Sequence, residues 1–268
     1  EFAAFKQFNP AFVGLIGRET ELSEPDMELF ADFALRLALP PNPLRNLDNS
    51  LTATQAAGRN TYMNKNNVDG GLTCNGCHTL DESQNFFGTS GESTFEGRVQ
   101  EAKVPHLRNV YTKVGMFFNP GEQMRGFGYL HGGDVPTVDL FIDAGPFALS
   151  STEVRNVVNF NMVFPTNDAP IVGQQITLTS LSGVTANNRV NLLIARALAG
   201  DADLIVKGFD GSGLVSARLI SNGKFLTAEG TELTDAALRG LAGTAGQELT
   251  YTAVPPGQGE RLAPVSGS

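Results

Sequence analysis

The chain has 268 residues, enough for one or two domains of roughly 150 residues, and two is the working count. An apolar share of 41% with 18% charged residues supplies a sizeable core and excludes disorder, while a net charge of -9 without any Lys/Arg-rich run excludes nucleic-acid binding, which needs clustered cations. A basic partner protein remains compatible with that charge. No stretch reaches the roughly 20 apolar residues of a membrane span, because residues 27–39 are interrupted by Glu28, Asp32 and Arg36. The sequence opens at Glu1 without an initiator Met or a secretory run, and so reads as a mature or truncated product.

In chain order, Ser23-Glu24-Pro25-Asp26 predicts a helix start, with a Ser cap, a first-turn proline and acids at the positive end of the dipole. That helix runs to Leu39 and is stopped by Pro40-Pro41-Asn42-Pro43. A second opens near Leu51, capped by Thr52 or Ser50, and continues to about Lys65. Residues 79–128 are rich in Gly, Asn, Ser and Pro, show no period, and read as a long ordered loop, which is reasonable only if it folds over something large.

Helical patterns return at 138–142 and at 151–164, the latter opened by the capping-box arrangement Ser150-Ser151-Thr152-Glu153 and ended by Pro165. Beyond Gln174 the pattern changes to short β-type runs at 175–179, 203–209, 214–221, 224–228 and 248–254, with turn signals at Asp210-Gly211 and Asn222-Gly223. Helices at about 188–198 and 234–241 punctuate them. No internal repeat is found.

The two cysteines stand three positions apart and cannot staple distant elements. They belong to Cys74-Asn75-Gly76-Cys77-His78, the spacing of c-type haem attachment, in which two thiols add to the porphyrin vinyl groups and the adjacent His supplies a nitrogen to iron. Structural zinc would need four ligands and adjacent Cys77 and His78 can hardly share one small ion; a thioredoxin-type pair belongs in a βαβ setting; a plain disulfide loop is the third alternative. Haem c is the reading adopted. On the preceding helix, Gln55, Gly58 and Tyr62 share spacing that allows a close helix approach at Gly58.

An iron that only passes electrons needs a sixth ligand, and Met opposite His gives a high-potential site. Met116, inside the loop, is the first choice, then Met124, then Met162, whose place on a helix makes core filler its default role. His131 and His106 are bis-His alternatives, with a hydrogen-bonded loop histidine the plainer reading of His131. Phe86, Phe87, Phe117, Phe118 and Phe127 could wall the haem, and Arg108 and Arg125 are the cations suited to its propionates.

Val104-Pro105-His106-Leu107-Arg108-Asn109-Val110 and Leu130-His131-Gly132-Gly133-Asp134, together with the attachment motif, resemble the haem domain of the bacterial dihaem cytochrome c peroxidase family, which includes MauG-like proteins. The resemblance covers about residues 52–164. It implies that Arg108 contacts a propionate and that His131 stands behind the ligands. Three departures qualify it: one attachment motif where those peroxidases carry two, Gly132 where the family usually has Asp, and no Met closely following His131 where the family's high-potential haem usually takes a helix Met.

The expected architecture is a mainly α cytochrome c-type haem domain with long loops (51–173), preceded by a helical lead-in packing on it (1–50) and followed by a small α+β C-terminal module (174–268). The expected activity is electron transfer by one covalent haem c, with redox partner proteins, in the periplasm or outside the cell. A peroxidase-like oxidoreductase using His131 or Glu122 as acid-base groups, or a haem-bearing assembly or adhesion subunit of a larger exported complex, are the alternatives.

Overall fold

The computed structural model describes residues 2–66, 68, 70–88, 93–94, 102–113, 128–144 and 146–265. The chain divides into two compact units, Glu1–Leu39 and Pro40–Ser268.

The first unit holds α1 (Phe2–Lys6), α2 (Asn9–Gly14) and α3 (Glu24–Leu35). No helix was expected over the first two, although Pro10 stands in the first turn of α2. Ser23 caps α3, its hydroxyl accepting from the Asp26 amide, and Pro25 sits in the first turn where its missing N–H costs nothing. The helix ends at Leu35, four residues before the expected stop, because the Arg36 amide turns back onto the carbonyls of the last turn. Phe30 packs edge-on against Phe5 and Phe12, with ring centroids 5.2 and 5.7 Å apart. Asn9 ties the unit together by bonding both backbone groups of Leu22.

In the second unit α4 (Ala53–Asn64) starts in a capping box made by Thr52 and Gln55. It is followed by the single turn α5 (Cys74–Cys77), the two-residue hairpin β1 (Leu80–Asp81) with β2 (Phe86–Phe87), a second small pair, β3 (Ser93–Thr94) with β4 (Ala102–Lys103), and a 3-10 turn at Val110–Lys113. Next come α6 (Val138–Ile142) and α7 (Ser151–Met162). A capping box of Ser150 and Glu153 opens α7.

Helices α4 and α7 meet at backbone distance. A β-carbon on Gly58 would lie 1.9 Å from the carbonyl oxygen of Asn156, so any side chain there would drive the helices apart. One turn on, Tyr62 is fully buried and meets the rings of Phe160 and Phe164 edge-on at 5.3 and 5.6 Å. The C-terminal end of α7 is clamped by the segment before α4. The buried Asn42 amide donates to the carbonyls of Met162 and Phe164, and the buried Arg45 guanidinium donates to that of Val163. Residues 40–50 therefore belong with the second unit, where the sequence reading grouped them with the lead-in.

The remainder of that unit is a six-stranded antiparallel sheet: β5 (Gln175–Thr179), β6 (Asp203–Phe209), β7 (Leu214–Leu219), β8 (Phe225–Thr227), β9 (Glu232–Leu233) and β10 (Glu248–Val254), in the order β5-β10-β6-β7-β8-β9. Its helices are α8 (Val184–Leu198) and α9 (Asp235–Leu241), with the short α10 (Gly259–Leu262) at the end. Alternate residues Leu249, Tyr251 and Ala253 of β10 point into a core completed by Val190 and Leu193 of α8, Leu238 of α9, and Ile171 and Val172 of the preceding connection. Gly208 is required by the close pairing of β6 with β10, since a β-carbon there would lie 2.0 Å from the Glu248 carbonyl oxygen. Among the described residues, no helix is long and apolar enough to cross a membrane.

Candidate functional site

The attachment motif is built by local bonds. The Thr73 hydroxyl caps α5 by accepting from the Gly76 amide at 2.9 Å, which forces the turn that carries Cys74 and Cys77. The turn closes when the His78 amide donates to the Cys74 carbonyl at 2.8 Å. Asn75 holds the exit from the turn, its side-chain oxygen accepting from the Leu80 amide at 2.8 Å. Cys74 and Cys77 are half-buried and form no disulfide.

Cys74 packs with Phe87 and Leu107 against the buried cluster of Tyr62, Leu80, Phe160 and Phe164. Burial pushes its thiol up to about 11. Among the described residues, no group of three or more His, Cys, Asp or Glu side chains is gathered to hold a metal ion.

His78 is held at three points. Its amide is used in closing α5, its carbonyl accepts from the Tyr62 hydroxyl, and its ring Nδ1 lies 2.7 Å from the carbonyl oxygen of Pro105. A carbonyl can only accept, so Nδ1 carries the hydrogen and the lone pair resides on Nε2. Burial lowers the ring's proton affinity, with the Pro105 bond opposing it, which favours the neutral form. Two thiols on one turn beside a neutral imidazole whose Nδ1 is tied off constitute a donor set that fits a covalently attached haem.

Of the expected surroundings, Phe87 and Arg108 are brought together: the Arg108 guanidinium lies over the Phe87 ring at 5.1 Å and donates to Asn167 at 2.7 Å. Beside them opens a polar cleft of about 320 Å³, lined by Arg45, Asn85, Phe87, Asn167, Asp168 and Asp201 among others. Phe86 is exposed. Met162 is fully buried with Val110, Tyr129, Val138, Ile142, Val154 and Val157, the environment of a core residue. His131 is exposed, in a tight loop closed by the Tyr129–Val135 bridge and turned by Leu130 in the left-handed region (φ 62). His106 is half-buried; burial first, then the nearby Arg108 and Lys103, lower its proton affinity. Met116, Met124, Phe117, Phe118, Phe127, Arg125 and Glu122 lie outside the described residues.

The sequence marked Tyr62 by its spacing from Gly58 but carried no sign that it or Pro105 bonds His78, nor of the roles of Asn75 and the clamp of Asn42 and Arg45. Thr73 carried a local signal, a capping residue directly before the first cysteine. No family model, curated protein or solved structure matches the chain.

Proposed function

We propose that the chain is a monohaem c-type cytochrome whose work is electron transfer, a single-haem relative of the dihaem cytochrome c peroxidase and MauG-like proteins. The observation that carries this reading is the bond from His78 Nδ1 to the Pro105 carbonyl, which commits one ring nitrogen and leaves Nε2 as the donor beside two half-buried thiols. When bound, the haem supplies a one-electron iron couple.

In this reading Cys74 and Cys77 would hold the porphyrin through thioethers, and His78, with Met116 as the choice of second ligand, would bind its iron. Phe87 and Phe117 exclude water, and Arg108 and Arg125 pair with propionates. The support for Arg108 is its fixed position over Phe87 and on Asn167, which orders a guanidinium before any carboxylate arrives. Redox partner proteins follow from the proposed electron transfer, and a periplasmic or extracellular setting follows from the class, because covalent haem attachment takes place outside the cytoplasm.

The test is to express the full chain with a haem-attachment apparatus and weigh it under denaturing conditions. A mass gain of one haem that survives acid-acetone and disappears in a Cys74→Ser, Cys77→Ser double variant is expected. Pigment released by acid-acetone would overturn the assignment. A methionine-to-iron charge-transfer band that persists in the presence of cyanide separates the carrier from a peroxidase, which would show an open, high-spin iron and peroxide turnover.

A further inference from the structure

We propose that Tyr62 is a positioning residue for the His78 imidazole: its buried hydroxyl fixes the His78 carbonyl, and through it the ring orientation and the balance between oxidised and reduced haem. The inference rests on the haem reading above and adds a residue to it.

Three observations carry it. His78 lies just past the end of α5, at φ -99 and ψ 72, so its carbonyl is outside any helical ladder and takes the Tyr62 hydroxyl. The Tyr62 ring is completely buried and wedged edge-on against Phe160 and Phe164, so the hydroxyl has no room to swing elsewhere. A carbonyl oxygen can only accept, so the phenol hydroxyl is the donor in this bond. Burial does not by itself create such a bond: the buried hydroxyls of Tyr129 and Tyr251 have no hydrogen-bond partner among the described residues.

The consequence is mechanical and electrostatic. With the amide, the carbonyl and Nδ1 of His78 all committed, neither the backbone nor the ring can rotate without breaking a bond. Tyr62 thus links the α4–α7 contact at Gly58 to the imidazole. Its hydroxyl hydrogen also offsets the negative end of the His78 carbonyl. Without it that end is left uncompensated on the same residue whose ring would bind the iron, which favours the more positive, oxidised iron.

The experiment compares the full-length wild type, Tyr62→Phe and Leu193→Ala, each purified with covalent haem verified by mass. The hyperfine-shifted haem-methyl proton resonances report the ring orientation, and the ferric-to-ferrous ratio at one fixed mediator poise reports the balance. Tyr62→Phe is expected to redistribute the methyl shifts and raise the ratio about threefold. Leu193→Ala, which removes packing from the buried core beside the six-stranded sheet and leaves the Tyr62 cluster intact, should lower the urea midpoint and leave both readings alone. A Tyr62→Phe protein with wild-type shifts and ratio overturns the role, as does a Leu193→Ala protein that reproduces the Tyr62→Phe pattern. Should Tyr62→Phe fail to accumulate, 3-fluorotyrosine at position 62 donates more strongly and must move the ratio the other way; no movement is equally fatal. A wild-type chain with no haem mass sinks the cytochrome reading instead, a result distinct from any of these.

Discussion

The ring Nδ1 of His78 and the carbonyl oxygen of Pro105 lie 2.7 Å apart, joining two residues that no local element connects. The acceptor is backbone, so the side chain at 105 can change while the bond persists. Pro105→Ala should therefore leave the visible spectrum of the haem-loaded protein unchanged and lower stability by about 0.4–1 kcal/mol, through a less restricted unfolded chain. Absorption spectra and urea titrations of the two proteins check both halves, and an altered spectrum would mean that the proline ring itself holds the segment in place.

Gly58→Ala tests the helix contact. In an isolated helix alanine would be favoured by about 1 kcal/mol. Here its β-carbon would fall 1.9 Å from the Asn156 carbonyl oxygen, a backbone atom that cannot swing aside. A net loss of about 1–3 kcal/mol is expected in urea unfolding, in the range for overpacked sites. A neutral or stabilised variant would show that α4 and α7 do not touch there.

Asn42→Ala removes three hydrogen bonds from a nearly inaccessible site, two donated to the carbonyls of Met162 and Phe164 and one accepted from the Leu44 amide. Buried acceptors left without partners cost more than the bonds contributed, so a loss of about 2–4 kcal/mol is expected. Chemical denaturation followed by far-UV circular dichroism measures it, and Asn42→Asp should be no better, since a carboxylate cannot donate to a carbonyl.

Glu153 gives a pH signature. Lys65 first, then the Ser150 backbone and hydroxyl, hold its carboxyl down at about 2, against 4.5 when unperturbed. A carboxyl depressed by folding contributes stability that is fully present above the unfolded value and is lost as pH falls from 4.5 toward 2. Glu153→Gln should lower the urea midpoint at neutral pH and flatten its decline across that acid window. Added salt should narrow the difference between the two proteins, because the pair is accessible to solvent.

Local chemistry in the sequence determined the starts of α3, α4 and α7, through Ser23, Thr52 and Ser150, because a cap is a bond between residues three apart. It likewise determined the strands at 175–179, 203–209 and 248–254, with alternation in the first and last showing which face is buried, and it brought Cys74, Cys77 and His78 onto one turn. Only the tertiary structure decided that β10 inserts between β5 and β6, that Pro105 and Tyr62 grip His78, and that Asn42 closes the end of α7. Those relationships join residues from 16 to 120 positions apart. Such contacts depend on where the chain returns after crossing the core, and a sequence window records the propensity of each segment but not the partner it meets.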